Sequence, residues 1–190
     1  MFGGLIFAIV FIAALVIPRN TQSNTVQGIN RGGHIALDID DGRNHIADNT
    51  TPGGPYSMTP ATSGPHWFGA TTAMNMPSPA RWGLYESGIP DEILVHNLEH
   101  GGIGIHYDCI AECPELVQQL SDIIPRNTSQ YIMSPYPGLA GTVSITAWRH
   151  HLDLGDGGDG ILSESDLDEI QKFIDEYKDR APESILGNSF

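Results

Sequence analysis

The chain has 190 residues, 40% of them hydrophobic and 17% charged, with 9 basic against 23 acidic side chains and a formal charge of -14. That composition suffices for one globular domain and is too apolar for a disordered chain. The charge argues against a nucleic-acid partner, since it repels phosphate backbones and offers no counterion release.

No charged residue occurs from Met1 to Pro18, and Leu5 to Ile17 holds only Leu, Ile, Val, Ala and Phe. Such a run favours burial as a helix in hydrocarbon, and at ~1.5 Å per residue it reaches about 27 Å, a bare span. It lacks the basic leader of a cleaved signal peptide and reads as a transmembrane anchor over 1–18. A polar linker over 19–30 follows, and the domain occupies 31–190. Arg19 and Arg31 after the anchor would keep the domain in the cytoplasm by the positive-inside rule, but long domains translocate largely regardless of charge.

Ile35, Leu37 and Ile39 alternate as in a half-buried strand. Asp48 to Pro79 is rich in Pro and Gly and too long for an idle connection, which predicts an ordered, functional loop region. Over Pro90 to Tyr107 two readings stand: a hairpin broken at Gly101-Gly102, or a short helix from Pro90 that Gly101 stops. Pro114 to Ile124 reads as a helix with Leu116, Leu120 and Ile123 on one face. Thr142 to Trp148 reads as a strand. Ser163 caps a last helix running to about Asp179, with Leu167, Ile170, Ile174 and Tyr177 as its buried stripe. The mixed order predicts an α+β fold.

His96 and His100 are four residues apart and form a candidate metal pair. With Glu99 they spell H-x-x-E-H, in which Glu99 would activate a metal-bound water only if the segment were a hydrolase helix. His66 follows the rigid Thr62-Ser63-Gly64-Pro65 turn, and with His96 and His100 it would offer three imidazoles suited to zinc or copper. Met74 or Met76 would tilt the choice toward copper by their soft sulfurs. His45 and His106 are reserve ligands. Cys109 and Cys113 read as a disulfide outside the cytoplasm. The Asp153–Gly160 run has Gly155 and Gly157 where a calcium loop needs charge, so it reads as a solvated turn.

Tyr56, Pro60 to Trp67, Gly83-Leu84-Tyr85, Val95 to Gly102, Tyr107, Ala147-Trp148 and Phe173 to Glu183 together resemble domain-of-unknown-function family 3105, over about His45 to Glu183. The resemblance implies a membrane-anchored or exported bacterial protein with a shared histidine site carried by His66, His96, His100 and His45, and no particular reaction. The chain departs from the family at Ala61, in the Met-rich stretch from Ala73 to Pro79 and in its cysteine pair. Together these readings predict a non-catalytic domain on the periplasmic side of a bacterial cytoplasmic membrane, binding copper or zinc. The alternative is an accessory subunit that docks through its N-terminal helix onto a respiratory or photosynthetic membrane complex.

Overall fold

In the computed structural model, residues 34–47, 49–109, 112–126, 130–155 and 160–184 are described. The expected anchor over 1–18 and linker over 19–30 lie outside them, as does the middle of the Asp153–Gly160 run. Among the described residues, no helix is long and apolar enough to cross a membrane. The domain is α+β, with three helices and two sheets.

The main sheet has six strands. In chain order they are β1 (His34–Leu37), β4 (Gly83–Leu84), β5 (Ile103–Tyr107), β6 (Tyr131–Pro135), β7 (Val143–Ala147) and β8 (His150–Leu154). Their spatial order is β1-β8-β7-β5-β6-β4, antiparallel from β1 through β5 and parallel from β5 through β4. The two short strands β2 (His45–Ile46) and β3 (His66–Trp67) form a separate parallel pair. The helices are α1 (Asp91–Glu99), α2 (Pro114–Ile123) and α3 (Glu164–Tyr177).

Strand alternation divides the interior in two. Ile103, Ile105, Tyr131, Met133, Val143 and Ile145 face α2 and α3, packing against Leu116, Leu120, Ile170 and Phe173. A second cluster gathers Ile93 and Leu94 of α1 with Trp67, Ala80, Ile89 and Ile132. The helix α3 begins with a complete capping box, in which the Ser163 hydroxyl accepts from the Asp166 amide and the Asp166 carboxylate accepts from the Ser163 amide.

Of the two readings for Pro90 to Tyr107, the helix is the one observed. Asp91 and Glu92 place negative charge on its first turn, where the dipole favours it, and every residue from Ile93 to Glu99 is buried. Gly101 stops it at φ +84°, with the Gly101 amide donating to Leu98 O and the Gly102 amide to Asn97 O. A side chain on Gly102 would fall within 2.6 Å of the Trp82 ring, so the strand that follows enters through a gap only glycine leaves open.

Four strand positions on the α1 side of the sheet are polar yet buried: His106, Ser134, Ser144 and Thr146. His106 pairs in register with Ser134 and Ser144, and its Nε2 lies 3.1 Å from Thr146 Oγ1. Burial pushes the His106 imidazole down to about 3 from its ordinary 6.5. The unfolded chain therefore takes up this proton near pH 6.5 while the folded chain does not until about pH 3, so stability falls as pH drops through that window. His106→Gln removes the proton, and its loss of stability between pH 6 and 4 should be shallower than wild type by ~1.4 kcal/mol per pH unit in urea unfolding. Parallel pH curves for the two proteins would contradict this assignment.

Candidate metal centre

Three elements converge to build the site. The parallel pairing of β2 with β3 sets His45 directly opposite His66, and the Gly64 and His66 amides extend it by donating to Gly42 O and Asn44 O. The helix α1 packs on β3 and carries His96 and Glu99, which three-residue spacing puts on one helical face. The ring centroids of His45, His66 and His96 form a near-equilateral triangle with sides of 4.8, 4.8 and 5.0 Å. Glu99 closes the group, and one ligand atom from each of the four residues lies within 4.8 Å of all the others.

The far side of each buried ring is tied down. His66 Nδ1 donates to Gly64 O at 2.9 Å, and His96 Nδ1 donates to Trp67 O at 2.8 Å. The Ser78 hydroxyl, itself bonded to Trp67 O, sits 3.1 Å from the same His96 nitrogen. Backbone carbonyls that hold Nδ1–H fix the tautomer and leave Nε2 as a lone pair, the arrangement that orients imidazoles for a metal. The Asn97 amide clamps the loop that carries Ser78 through paired bonds to the Ala80 N–H and C=O, both 2.8 Å.

The electrostatics follow from burial. His66 and Glu99 are 0% and 1% exposed, and His66 Nε2 lies 3.0 Å from Glu99 Oε2. Neither atom has a hydrogen-bond partner of its own. With the His66 proton on Nδ1, the 3.0 Å contact sets a nitrogen lone pair against a carboxylate oxygen. A shared proton would require His66 to be imidazolium. His45 Nε2 is 3.6 Å from the same oxygen, and Arg43 Nη1 is 3.7 Å from Oε1. Burial tends to raise the Glu99 carboxyl, but the hydrogen bond and charge that His66 can supply, with the charges of His45 and His96, outweigh it and hold the group below its ordinary value. Burial, and then the neighbouring charge of His66, pushes His96 down to about 3. Near neutral pH the site thus presents a carboxylate and a neutral His96 imidazole, the forms that bind metal.

The other expected ligands are placed differently. His100 stacks on His96 at 5.0 Å and donates through Nδ1 to Glu183 O, and it is not one of the four mutually close residues. Met74 is 51% exposed, Met76 packs against the second apolar cluster, and His106 lies in the polar layer under α1. No cysteine belongs to the group. Glu99, expected only as a general base in a hydrolase, stands among the ligand atoms. The signal was its three-residue spacing from His96, which is informative only once the segment is known to be helical. Cys109 and Cys113 are joined by a disulfide.

This is a small α+β domain whose His/Glu cluster could hold a metal ion. A family model described as protein of unknown function, DUF3105, matches residues 50–188, and the chain belongs to that family. No curated protein and no solved structure matches it. His66, His96 and Glu99 fall inside the matched span and His45 falls just before it.

The Asn97 clamp gives a direct test of how the site is held. Asn97→Ala strands the Ala80 N–H and C=O in the interior and should lower stability by about 2–4 kcal/mol in urea unfolding. A change of less than ~0.5 kcal/mol would mean that the loop is held by something else.

Proposed function

We propose that the domain binds one transition-metal ion through the Nε2 atoms of His45, His66 and His96 and a carboxylate oxygen of Glu99. The observation that carries this reading is the 3.0 Å approach of His66 Nε2 and Glu99 Oε2, both buried and both without another hydrogen-bond partner. A buried carboxylate needs positive charge beside it, and a metal ion between these atoms would supply that charge without a proton shared between them. Bonds of 2.0–2.1 Å to a tetrahedral ion imply ligand–ligand separations of about 3.4 Å, and the His66–Glu99 and His45–Glu99 contacts of 3.0 and 3.6 Å bracket that value. Three imidazoles and a carboxylate, without sulfur, favour zinc over copper(I), with copper(II) the closest competitor.

Four protein ligands leave a tetrahedral ion without an open position, which supports a binding role over hydrolysis. His45 is the exposed member, 39% accessible and stacked on Phe68 at 4.9 Å, and so it forms the side from which an ion enters. The disulfide supports placement in an oxidising compartment, and the apolar run from Leu5 to Ile17 supports attachment to a bacterial membrane with the domain outside the cytoplasm. That same run is the ground for a second role as an accessory subunit of a respiratory or photosynthetic complex.

Elemental analysis of the full chain, purified in detergent and dialysed against zinc, should find one ion per chain. His66→Ala, His96→Ala and Glu99→Ala should each weaken binding by more than about 100-fold, beyond the loss typical of a supporting residue. His45→Ala should weaken it less, while His100→Ala and Met74→Leu should stay within about tenfold of wild type. Absence of stoichiometric metal from the wild type would overturn the proposal, and equal losses in His100→Ala and His96→Ala would overturn this ligand set.

A further inference from the structure

The chain has nine basic residues against 23 acidic ones, yet three of the nine share one cleft. Arg43 comes from the loop before β2, Arg149 from the β7–β8 turn and Arg180 from the segment after α3. These positions are far apart in sequence, and the fold brings them to a cavity of about 460 Å³. Trp148 and the exposed Leu37 supply an apolar wall beside them.

The acids near these guanidiniums hold them loosely. Arg149 Nη1 is 3.3 Å from Asp40, also in the cleft, and Arg43 Nη1 is 3.7 and 3.8 Å from Glu99 and Glu183. Arg180 makes a 2.8 Å pair with Glu176, but both side chains are more than half exposed, so the pair is weak. The lining itself carries three guanidiniums against the single carboxylate of Asp40. In a domain this acidic, a lining with three guanidiniums and one carboxylate makes this concave surface locally attractive to an anion.

Arg149 adds an independent sign. Its backbone sits at φ +58°, the left-handed region that costs a residue bearing a Cβ about 1–2 kcal/mol and that glycine or asparagine occupies more readily. Its Nη2 donates to Asp38 O, while its buried Nε–H has no partner. The two-residue β7–β8 turn accounts for that backbone conformation, so the sign of a ligand is the unpartnered Nε–H.

We propose that this cleft binds a small oxyanion, a carboxylate or phosphate, on the guanidiniums of Arg43, Arg149 and Arg180, with any apolar part of the ligand lying on Trp148 and Leu37. Planar guanidiniums match both oxyanions, which they hold by paired charge-assisted hydrogen bonds. Arg43 also reaches toward Glu99, so the anion binds on the flank of the metal centre. None of the three arginines is among the proposed metal ligands.

The test is calorimetric titration of the full chain in detergent with inorganic phosphate and, separately, with succinate, on both metal-free and zinc-loaded protein. At least one probe should bind saturably in both forms. Arg149→Gln and Arg180→Gln should each weaken it about tenfold or more. Arg126→Gln, which removes the same charge from an exposed position elsewhere, should leave it unchanged. Arg149 also braces its turn, so Arg180→Gln decides the matter if Arg149→Gln fails to fold. Three results would overturn the proposal: no saturable binding of either probe, equal affinity in Arg180→Gln and Arg126→Gln, or binding confined to zinc-loaded protein and insensitive to Arg180→Gln.

Discussion

The carboxylate of Glu99 lies almost wholly out of water, and its nearest polar neighbour is Nε2 of the His66 imidazole, whose Nδ1 is bonded to the Gly64 carbonyl. A buried charge in that situation is tolerable only beside a cation, because its lost hydration is far larger than any packing gain around it. The residues near Glu99 serve that requirement. Carbonyls of Gly64 and Trp67 hold the protons of His66 and His96 on the outer nitrogens, so that the inner ones face the carboxylate as lone pairs. Arg43 approaches from the solvent side but stays 3.7 Å away and half exposed, too distant and too hydrated to neutralise the group by itself. A metal ion bound as proposed would satisfy these atoms at once.

The four residues of the cluster are all carried by regular secondary structure. His45 and His66 are locked in register by a two-strand pairing, and His96 and Glu99 are held on a helix whose every residue from Ile93 onward is buried. The loop between β3 and β4 is anchored to that helix by Asn97 and contributes Ser78 to the His96 nitrogen. Rigid support of this kind is what fixes ligand geometry to within a fraction of an ångström. The larger sheet, with α2 and α3 on its other face, supplies the apolar burial that a loop-rich site cannot provide for itself.

Much of this was legible in the residues, and the limits are physical. The helix α3 declares itself because it is amphipathic and begins with a side-chain cap at Ser163. The helix α1 does not, because from Ile93 on its polar residues His96, Asn97 and Glu99 are buried along with the apolar ones, so hairpin and helix were equally compatible with its sequence. His66 and His96 stand out by their local settings. The neighbourhood of His45 could not be read, because it depends on a pairing between segments 21 residues apart in register. The part played by Glu99 depended on the helix assignment, and His100, in the same short motif as His96, turns instead toward the Glu183 carbonyl, a contact that spans 83 residues. The Met-rich stretch suggested copper by composition alone, but exposure takes Met74 to solvent and packing takes Met76 into an apolar cluster.

The most direct measurement of the central claim is X-ray absorption spectroscopy at the zinc edge on the zinc-loaded full chain, wild type and Glu99→Gln. The account predicts a four-coordinate ion with three imidazole ligands and one carboxylate oxygen near 2.0–2.2 Å, and a changed oxygen shell in the variant. A sulfur scatterer near 2.3 Å, fewer than three imidazoles, or a spectrum unaltered by Glu99→Gln would contradict it.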